Sequence, residues 1–305
     1  MAASVKKAVI VGSEGQDGSL LRELLERKKY EVLRVNRGGN LNVGNFNDVR
    51  AAVKEFKPNE VYYLAAFHHS SEDARQEELE LFTKSFEVNT QGLIHFLEAI
   101  RLESPKTRLF YASSSHVFGS VVKSPQDEST PLNPENIYGI SKATGMMICR
   151  YYRKIHSIFA STGILYNHES PLRADRFVSK KIAKGVARIQ SGEANELILG
   201  DLDSKVDWGY APDYVEAMRR ILATKKADDF VISTGKPHRV GDFAKIAFAR
   251  ANLPTKGRLK TKGKIAKKLP SKLVGNSKKL RRTTGWKPTV SFKEMVEILV
   301  DSELK

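Results

Sequence analysis

The chain has 305 residues, 41% of them hydrophobic, enough for a sizeable buried core in one large domain or two. Its apolar runs are short and interrupted, which excludes a membrane-spanning helix, and MAASVKKAVIVGS passes into a strand-like run without the core of a signal peptide. One cysteine, Cys149, excludes an internal disulfide and fits a reducing compartment, so a soluble cytoplasmic protein is expected.

The charge is uneven. Lys and Arg number 51 against 35 Asp and Glu, a net +16, and residues 255–282 hold twelve Lys/Arg and no acid, +12 of that total. Such a block suits a polyanionic partner, either the phosphates of a ligand or nucleic acid, or else forms a solvated basic loop.

In chain order, residues 8–11 (AVIV) predict a strand, followed by a glycine turn and a helix with Leu20, Leu21, Leu24 and Leu25 on one face. Residues 31–36 (EVLRVN) predict a second strand, 49–56 a helix and 60–66 (EVYYLAA) a third strand. An amphipathic helix over 86–100, a strand over 107–114 (TRLFYASS), a long helix from Ile137 and a strand over 157–167 complete the alternation. Strands alternating with helices imply an α/β fold, a Rossmann-type doubly wound parallel sheet. After about Asn167 the pattern loosens. This predicts a nucleotide-binding domain over 1–166 and a smaller mixed α/β substrate-binding region over 167–305, with segments returning to the core.

VIVGSEGQDGSLL places Gly12, Gly15 and Gly18 between the first strand and its helix. Glycines there permit a tight turn and close approach to a pyrophosphate at the helix N-terminus. Gln16 and Asp17 lie in the same turn, and Leu64, Ala65 and Ala66 end the third strand; all are candidate cofactor contacts. The second strand ends in VNRGG, with Arg37 and no acid. A basic residue there accommodates the 2′-phosphate of NADP(H), whereas NAD selection uses an acid.

Tyr138 and Lys142 are four apart, on one helical face. A lysine ammonium one turn away favours tyrosinate, and Ser114 can bond the same substrate oxygen, so the three can exchange a proton while a nicotinamide exchanges a hydride. His116 follows Ser114 by two. Residues two apart on a strand share a face, so His116 is expected to face the substrate beside the serine. His68 and His69 lack a matched second cluster and predict a pocket or surface role, not a metal site.

With these residues in place the chain resembles the extended short-chain dehydrogenase/reductases, and within them most the GDP-mannose 4,6-dehydratases, over nearly its whole length. The resemblance is carried by GSEGQDGSLLRELL, EVYYLAA, YASSSHVFG, NIYGISKA, GILYNHESPLRADRFVSKKI, LGDLDSKVDWGYAPDYVEAM, DDFVISTG and GWKP. It implies Ser114 in place of the catalytic Thr, Tyr138 as acid/base, Lys142 as its partner and Asn89 as a supporting helix asparagine. Ser115, Asn167, Glu169, Arg173 and Lys181 lie on segments that contact the nucleotide sugar. NADP(H) is the implied cofactor, a nucleotide-diphosphate sugar the implied substrate, and a homodimer the implied assembly, paired through the helices carrying Tyr138 and Asn89.

The departures are specific. The family has a Glu where this chain has His116, an Arg where it has Val206, and another diphosphate-facing Arg where Leu269 precedes Pro270. The long loop after the second strand, a tetramer contact in the family, is cut to RGGNLNVGNF. Lys264, Lys267 and Lys268 are candidates to replace the lost phosphate contacts. The implied reaction is therefore a 4,6-dehydration using His116 or, alternatively, 4-keto-sugar reduction or epimerisation without it. A nucleic-acid-binding protein on a dehydrogenase scaffold is an alternative of another class, but no interleaved aromatics mark residues 255–282 for that role.

Overall fold

The computed structural model describes residues 5–39, 41–68, 76–121, 123–262 and 273–304. The proposed phosphate contacts Lys264, Lys267 and Lys268, with Leu269 and Pro270, lie outside the described residues, as does His69.

β1 (Lys7–Val11) leads through the glycine turn into α1 (Gln16–Arg27), then β2 (Glu31–Val35), α2 (Phe46–Phe56) and β3 (Glu60–Tyr63). Next come α3 (Glu78–Phe86), a π-helical turn (Glu87–Gln91), α4 (Gly92–Glu103), β4 (Arg108–Ser114) and a 3-10 turn (Ser115–Phe118). α5 (Ile137–Ile155), β5 (Ala160–Leu165) and β6 (Asn167–Glu169) complete the region read from strand–helix alternation. Beyond it lie α6 (Val178–Gln190), β7 (Leu197–Leu199), β8 (Lys205–Tyr210), α7 (Ala211–Leu222), β9 (Asp229–Ile232) and β10 (Pro237–Arg239). α8 (Val240–Arg250), β11 (Leu259–Thr261), α9 (Lys278–Thr284) and α10 (Phe292–Asp301) follow.

The main sheet is parallel throughout, in the order β2-β1-β3-β4-β5-β9. The chain steps from β1 outward to β2, then returns past β1 to β3, so the carboxyl ends of β1 and β3 form the topological switch point where such sheets bind ligands. Alternation along β1 builds two cores: Val9 and Val11 face the layer of α2, α4 and α5, while Ala8 and Ile10 face that of α1 and α7. β9 pairs with β5, so this strand from the later half completes the main sheet.

A third core gathers α6, α8 and α10 around Trp208 and Phe243, beside a small sheet ordered β10-β8-β6. The GWKP segment anchors this half to α7. Trp286 Nε1 donates to the Asp213 carbonyl at 2.8 Å, and Thr289 donates its hydroxyl to the Asp213 carboxylate at 2.6 Å.

The helix expected over 86–100 is divided by the π-helical turn. The extra residue per turn frees backbone carbonyls, and two buried tyrosines take them: Tyr63 donates to Val88 O at 2.6 Å and Tyr111 to Asn89 O at 3.0 Å. Such single π turns recur at functional sites. This one brings Asn89 inward toward α5.

Candidate active site

The glycine turn has the geometry of a close-approach cradle. Gly12 has φ 90°, and a Cβ there would stand 2.7 Å from the Ala65 nitrogen; a Cβ on Gly18 would stand 2.2 Å from the Gly12 carbonyl oxygen. Only glycine lets β1, the β3 end and the α1 N-terminus meet this closely, which leaves the first amides of α1 directed at the switch point. Gly15 serves as the N-cap of α1.

The side chains of Gln16 and Asp17 point elsewhere. Gln16 donates to His168 O at 3.1 Å and accepts from Ser170 Oγ at 2.9 Å, while Asp17 meets His168 Nε2 at 2.8 Å. Both therefore tie the turn to β6, and their backbone amides remain for a pyrophosphate. Arg37 is exposed in the turn after β2 and forms no ion pair among the described residues. Beside that turn a cleft of about 740 Å³ runs along the edge strand β2, lined in part by Ser13, Glu14, Arg34, Asn36 and Leu41. Tyr138 is not among the residues that line it.

The residues expected to transfer protons meet where β4 ends beside the start of α5. Asn136 caps α5, its Oδ1 accepting the Gly139 amide at 2.8 Å. One turn on, Lys142 is buried, and its ammonium donates to the Ala112 carbonyl at 2.9 Å, with Nζ 5.0 Å from the Tyr111 ring centre and 5.8 Å from that of Tyr138. Burial pulls the Lys142 pKa down to about 7. Tyr138 is pushed up to about 12 by burial, against the opposing hydrogen bond with Ser114. Desolvation thus acts at both groups against the expected ammonium-assisted tyrosinate, while the Lys142 ammonium donates to main chain.

His116 requires a correction. β4 stops at Ser114, whose hydroxyl accepts the His116 amide at 3.3 Å and caps the 3-10 turn, so strand alternation does not place the histidine. The turn instead swings the imidazole over Tyr138, with ring centres 5.7 Å apart, and Ser115 is buried. The histidine reaches the same neighbourhood by a different backbone route. Burial lowers its pKa below the ordinary imidazole value, favouring the neutral ring. Its Nδ1 lies 3.1 Å from Asn136 Nδ2. Because capping occupies Asn136 Oδ1, the amide presents its NH2 group, so Nδ1 accepts and the ring proton sits on Nε2.

His68, at the end of the β3 loop, packs edge-on to Tyr138 with centres 4.7 Å apart and lies 6.1 Å from Phe177. Asn89 fixes this loop: its amide bonds Phe67 N at 2.9 Å, Phe67 O at 3.2 Å and Ser141 Oγ at 2.9 Å.

The substrate-side candidates separate. Asn167 is exposed at the start of β6. Glu169 is buried and internally paired, accepting from Ser179 at 2.6 Å and lying 3.1 Å from Arg173 Nε, while the Arg173 guanidinium stacks 3.5 Å from the Phe177 ring centre. Glu169 therefore holds Arg173 at its Nε, with the guanidinium laid on Phe177. Lys181 lies on α6 and is half-buried. Asn136 and Phe177 escaped sequence reasoning. Asn136 carried a readable signal, an asparagine immediately before a predicted helix; Phe177 carried none.

A parallel doubly wound sheet, a glycine cradle at its switch point and a Ser–Tyr–Lys set at the β4–α5 junction define the short-chain dehydrogenase/reductase class. The GDP-mannose 4,6 dehydratase family model matches residues 39–299, and the chain belongs to that family. It is 34% identical to GDP-mannose 4,6 dehydratase 2 of Arabidopsis thaliana over 98% of this chain and 87% of that protein. It is 34% identical to the human GDP-mannose 4,6 dehydratase over 98% of this chain and 91% of that protein. The fold is shared with RMD of Pseudomonas aeruginosa, complexed with NADPH, at TM-score 0.85 and 20% identity over 98% of this chain and 99% of that one. It is also shared with dTDP-glucose 4,6-dehydratase of Bacillus anthracis, in complex with NAD, at TM-score 0.80 and 19% identity over 98% and 96% of the two chains.

Proposed function

We propose that the protein is an NADP(H)-dependent enzyme acting at carbon 4 of a nucleotide-diphosphate sugar, with the 4,6-dehydratase chemistry of its family. The observation that carries this is the convergence of Ser114, Tyr138 and Lys142 beside the Gly12–Ala65 cradle. The cradle, which a side chain would fill, fits a dinucleotide pyrophosphate on Gly12, Gly15, Gln16, Asp17 and Gly18. Leu64, Ala65 and Ala66 wall the other side, and Arg37 is the candidate for the 2′-phosphate. Bound there, the nicotinamide would accept and return a hydride.

In this reading Lys142 orients Tyr138 and would stabilise it as the phenolate in the loaded site, the phenol's own proton lost to solvent; the phenolate then takes the carbon 4 hydroxyl proton while Ser114 aligns that oxygen. Arg173 and Lys181 contact the nucleotide sugar with Asn167 and Ser115, and Glu169 holds Arg173 in place. The division at residue 166 separates cofactor binding from substrate binding, with β9 and α7 crossing back. His116, in the place of the family Glu, is the candidate to remove the carbon 5 proton and assist loss of water from carbon 6.

A second reading, 4-keto-sugar reduction or epimerisation, is favoured by one observation: the Asn136 cap leaves His116 a donor through Nε2, whereas a base needs a lone pair there. The deciding experiment incubates wild type, His116→Ala and Tyr138→Phe with NADP(H) and GDP-, UDP-, CDP- and dTDP-sugars, and resolves products by mass. Dehydration is expected to lose one water in wild type and none in His116→Ala, with carbon 4 oxidation retained. Tyr138→Phe should cut turnover about 10³-fold. A His116→Ala enzyme that keeps most of its turnover on a 4-keto sugar supports the second reading, and no turnover on any of the sugars would sink both.

The homodimer reading rests on a stripe of exposed apolar side chains. Met147, Tyr151 and Ile155 fall four apart on α5 and are 56%, 54% and 56% exposed, while Leu79 on α3 is 80% exposed. Exposed apolar side chains at helical spacing on adjacent helices are the mark of a pairing surface. No helix among the described residues is long and apolar enough to cross a membrane, and the buried free Cys149 accords with a reducing cytoplasm.

A further inference from the structure

Selection between the two dinucleotides is usually decided at the end of the second strand, where an acid takes the ribose hydroxyls of NAD and a base takes the 2′-phosphate of NADP. The sequence has Arg37 there and no acid. The fold supplies an acid from another element: Glu14, in the glycine turn, accepts a hydrogen bond from Asn36 Nδ2, one residue past the end of β2. Glu14 and Asn36 line the same cleft, together with Ser13 and Arg34. Glu14 is exposed and forms no salt bridge among the described residues, so its charge is available to a ligand.

We propose that Glu14 is a cofactor-specificity residue that narrows the preference for NADP(H). Its carboxylate, steadied at the end of β2 by Asn36, accepts the ribose 2′-hydroxyl of NADH and opposes the 2′-phosphate of NADPH. Arg34 and Arg37, neither in an ion pair among the described residues, act in the opposite direction. Arg34, near the end of β2, lines the same cleft as Asn36. The site therefore presents both an acceptor for a hydroxyl and cations for a phosphate. A carboxylate roughly 5 Å from a doubly charged phosphate in water-like surroundings weakens binding on the order of tenfold. The inference rests on the dinucleotide site proposed above.

The test measures dissociation constants of NADPH and NADH directly, by nucleotide fluorescence or calorimetry, for wild type, Glu14→Gln, Glu14→Ala and Arg37→Ala. Glu14→Gln keeps an acceptor for Asn36 and removes only the charge. It should tighten NADPH on the order of tenfold and leave NADH equal or weaker. Glu14→Ala should also weaken NADH by losing the hydroxyl acceptor, and Arg37→Ala should weaken NADPH alone. A thermal melt of each variant controls for folding, which an exposed position should leave intact. If both dinucleotides bind and their ratio stays within about twofold in both Glu14 variants, Glu14 has no such role while the dinucleotide site stands. Failure of wild type to bind either dinucleotide overturns the site and the inference together.

Discussion

His168 Nε2 stands 2.8 Å from Asp17 Oδ2, and its Nδ1 stands 2.7 Å from the Tyr166 carbonyl. Both partners accept only, so both ring nitrogens carry protons and the ring is an imidazolium, stacked 4.5 Å from Tyr214. The pair joins the glycine turn to β6. It acts beside the Gln16 contacts to His168 O and Ser170 Oγ.

This pair sets a pH dependence. Burial pulls the His168 pKa down, but the Asp17 carboxylate and its hydrogen bond outweigh that, against Arg173, and the value ends raised. Burial likewise pushes Asp17 up, and His168 outweighs it, so that value ends lowered. The histidine's contribution is complete below about pH 6.5 and is lost as pH rises through its raised folded value; the aspartate's is present above about pH 4 and is lost on acidification. Asp17→Asn should therefore cost about 2 kcal/mol near pH 5.5, and less at pH 8.5. Denaturant melts at the two pH values check this, and equal losses at both would contradict it.

Lys142 carries a stability cost. Its folded pKa, pulled to about 7 by burial, lies below the unfolded value of about 10.4, so between these values the unfolded chain binds more protons and stability rises with pH. Lys142→Met should melt higher than wild type at pH 6.5, with the gap closing toward pH 10, while turnover collapses. Thermal melts without nucleotide measure the gap. A lower melting point for the variant at pH 6.5 would refute the account.

Asn89 holds the β3 loop, and with it His68, against α5 by three hydrogen bonds to Phe67 and Ser141. Asn89→Ala leaves a buried amide and carbonyl unmet and should cost about 2–3 kcal/mol. Turnover should fall more than the Michaelis constant rises, because the loop packs on Tyr138. Steady-state kinetics with a melt separates the effects, and unchanged turnover in a destabilised protein would limit Asn89 to folding.

Met147 and Tyr151 stand on the exposed stripe of α5. Replacing both by Glu should give a folded monomer by light scattering at micromolar concentration, because charge cannot be desolvated in a pairing surface. A wild-type monomer, or a double variant that still dimerises, would place the interface elsewhere.

The alternation of short apolar runs with helical patterns made the parallel sheet legible, because burial on both faces leaves continuous apolar strands. Gly12 and Gly18 were legible for a related reason: only a residue without a side chain fits where two strands and a helix meet. Tyr138 and Lys142 were legible because a spacing of four is a property of the helix itself.

The rest depended on contacts between distant segments. His116 occupies a turn because the Ser114 hydroxyl captures its amide and ends the strand, a local competition that alternation does not register. The protonation of His168 follows from Asp17, 151 residues away, and the depressed pKa of Lys142 from desolvation by several elements together. Glu14 gained its place at the end of β2 only when the glycine turn and that strand end were brought side by side. Residue type and spacing by themselves determined the scaffold and singled out the candidate reactive groups. Tertiary structure decided their protonation, orientation and partners, because those depend on dielectric and hydrogen-bond geometry, which exist only once the chain has closed around them.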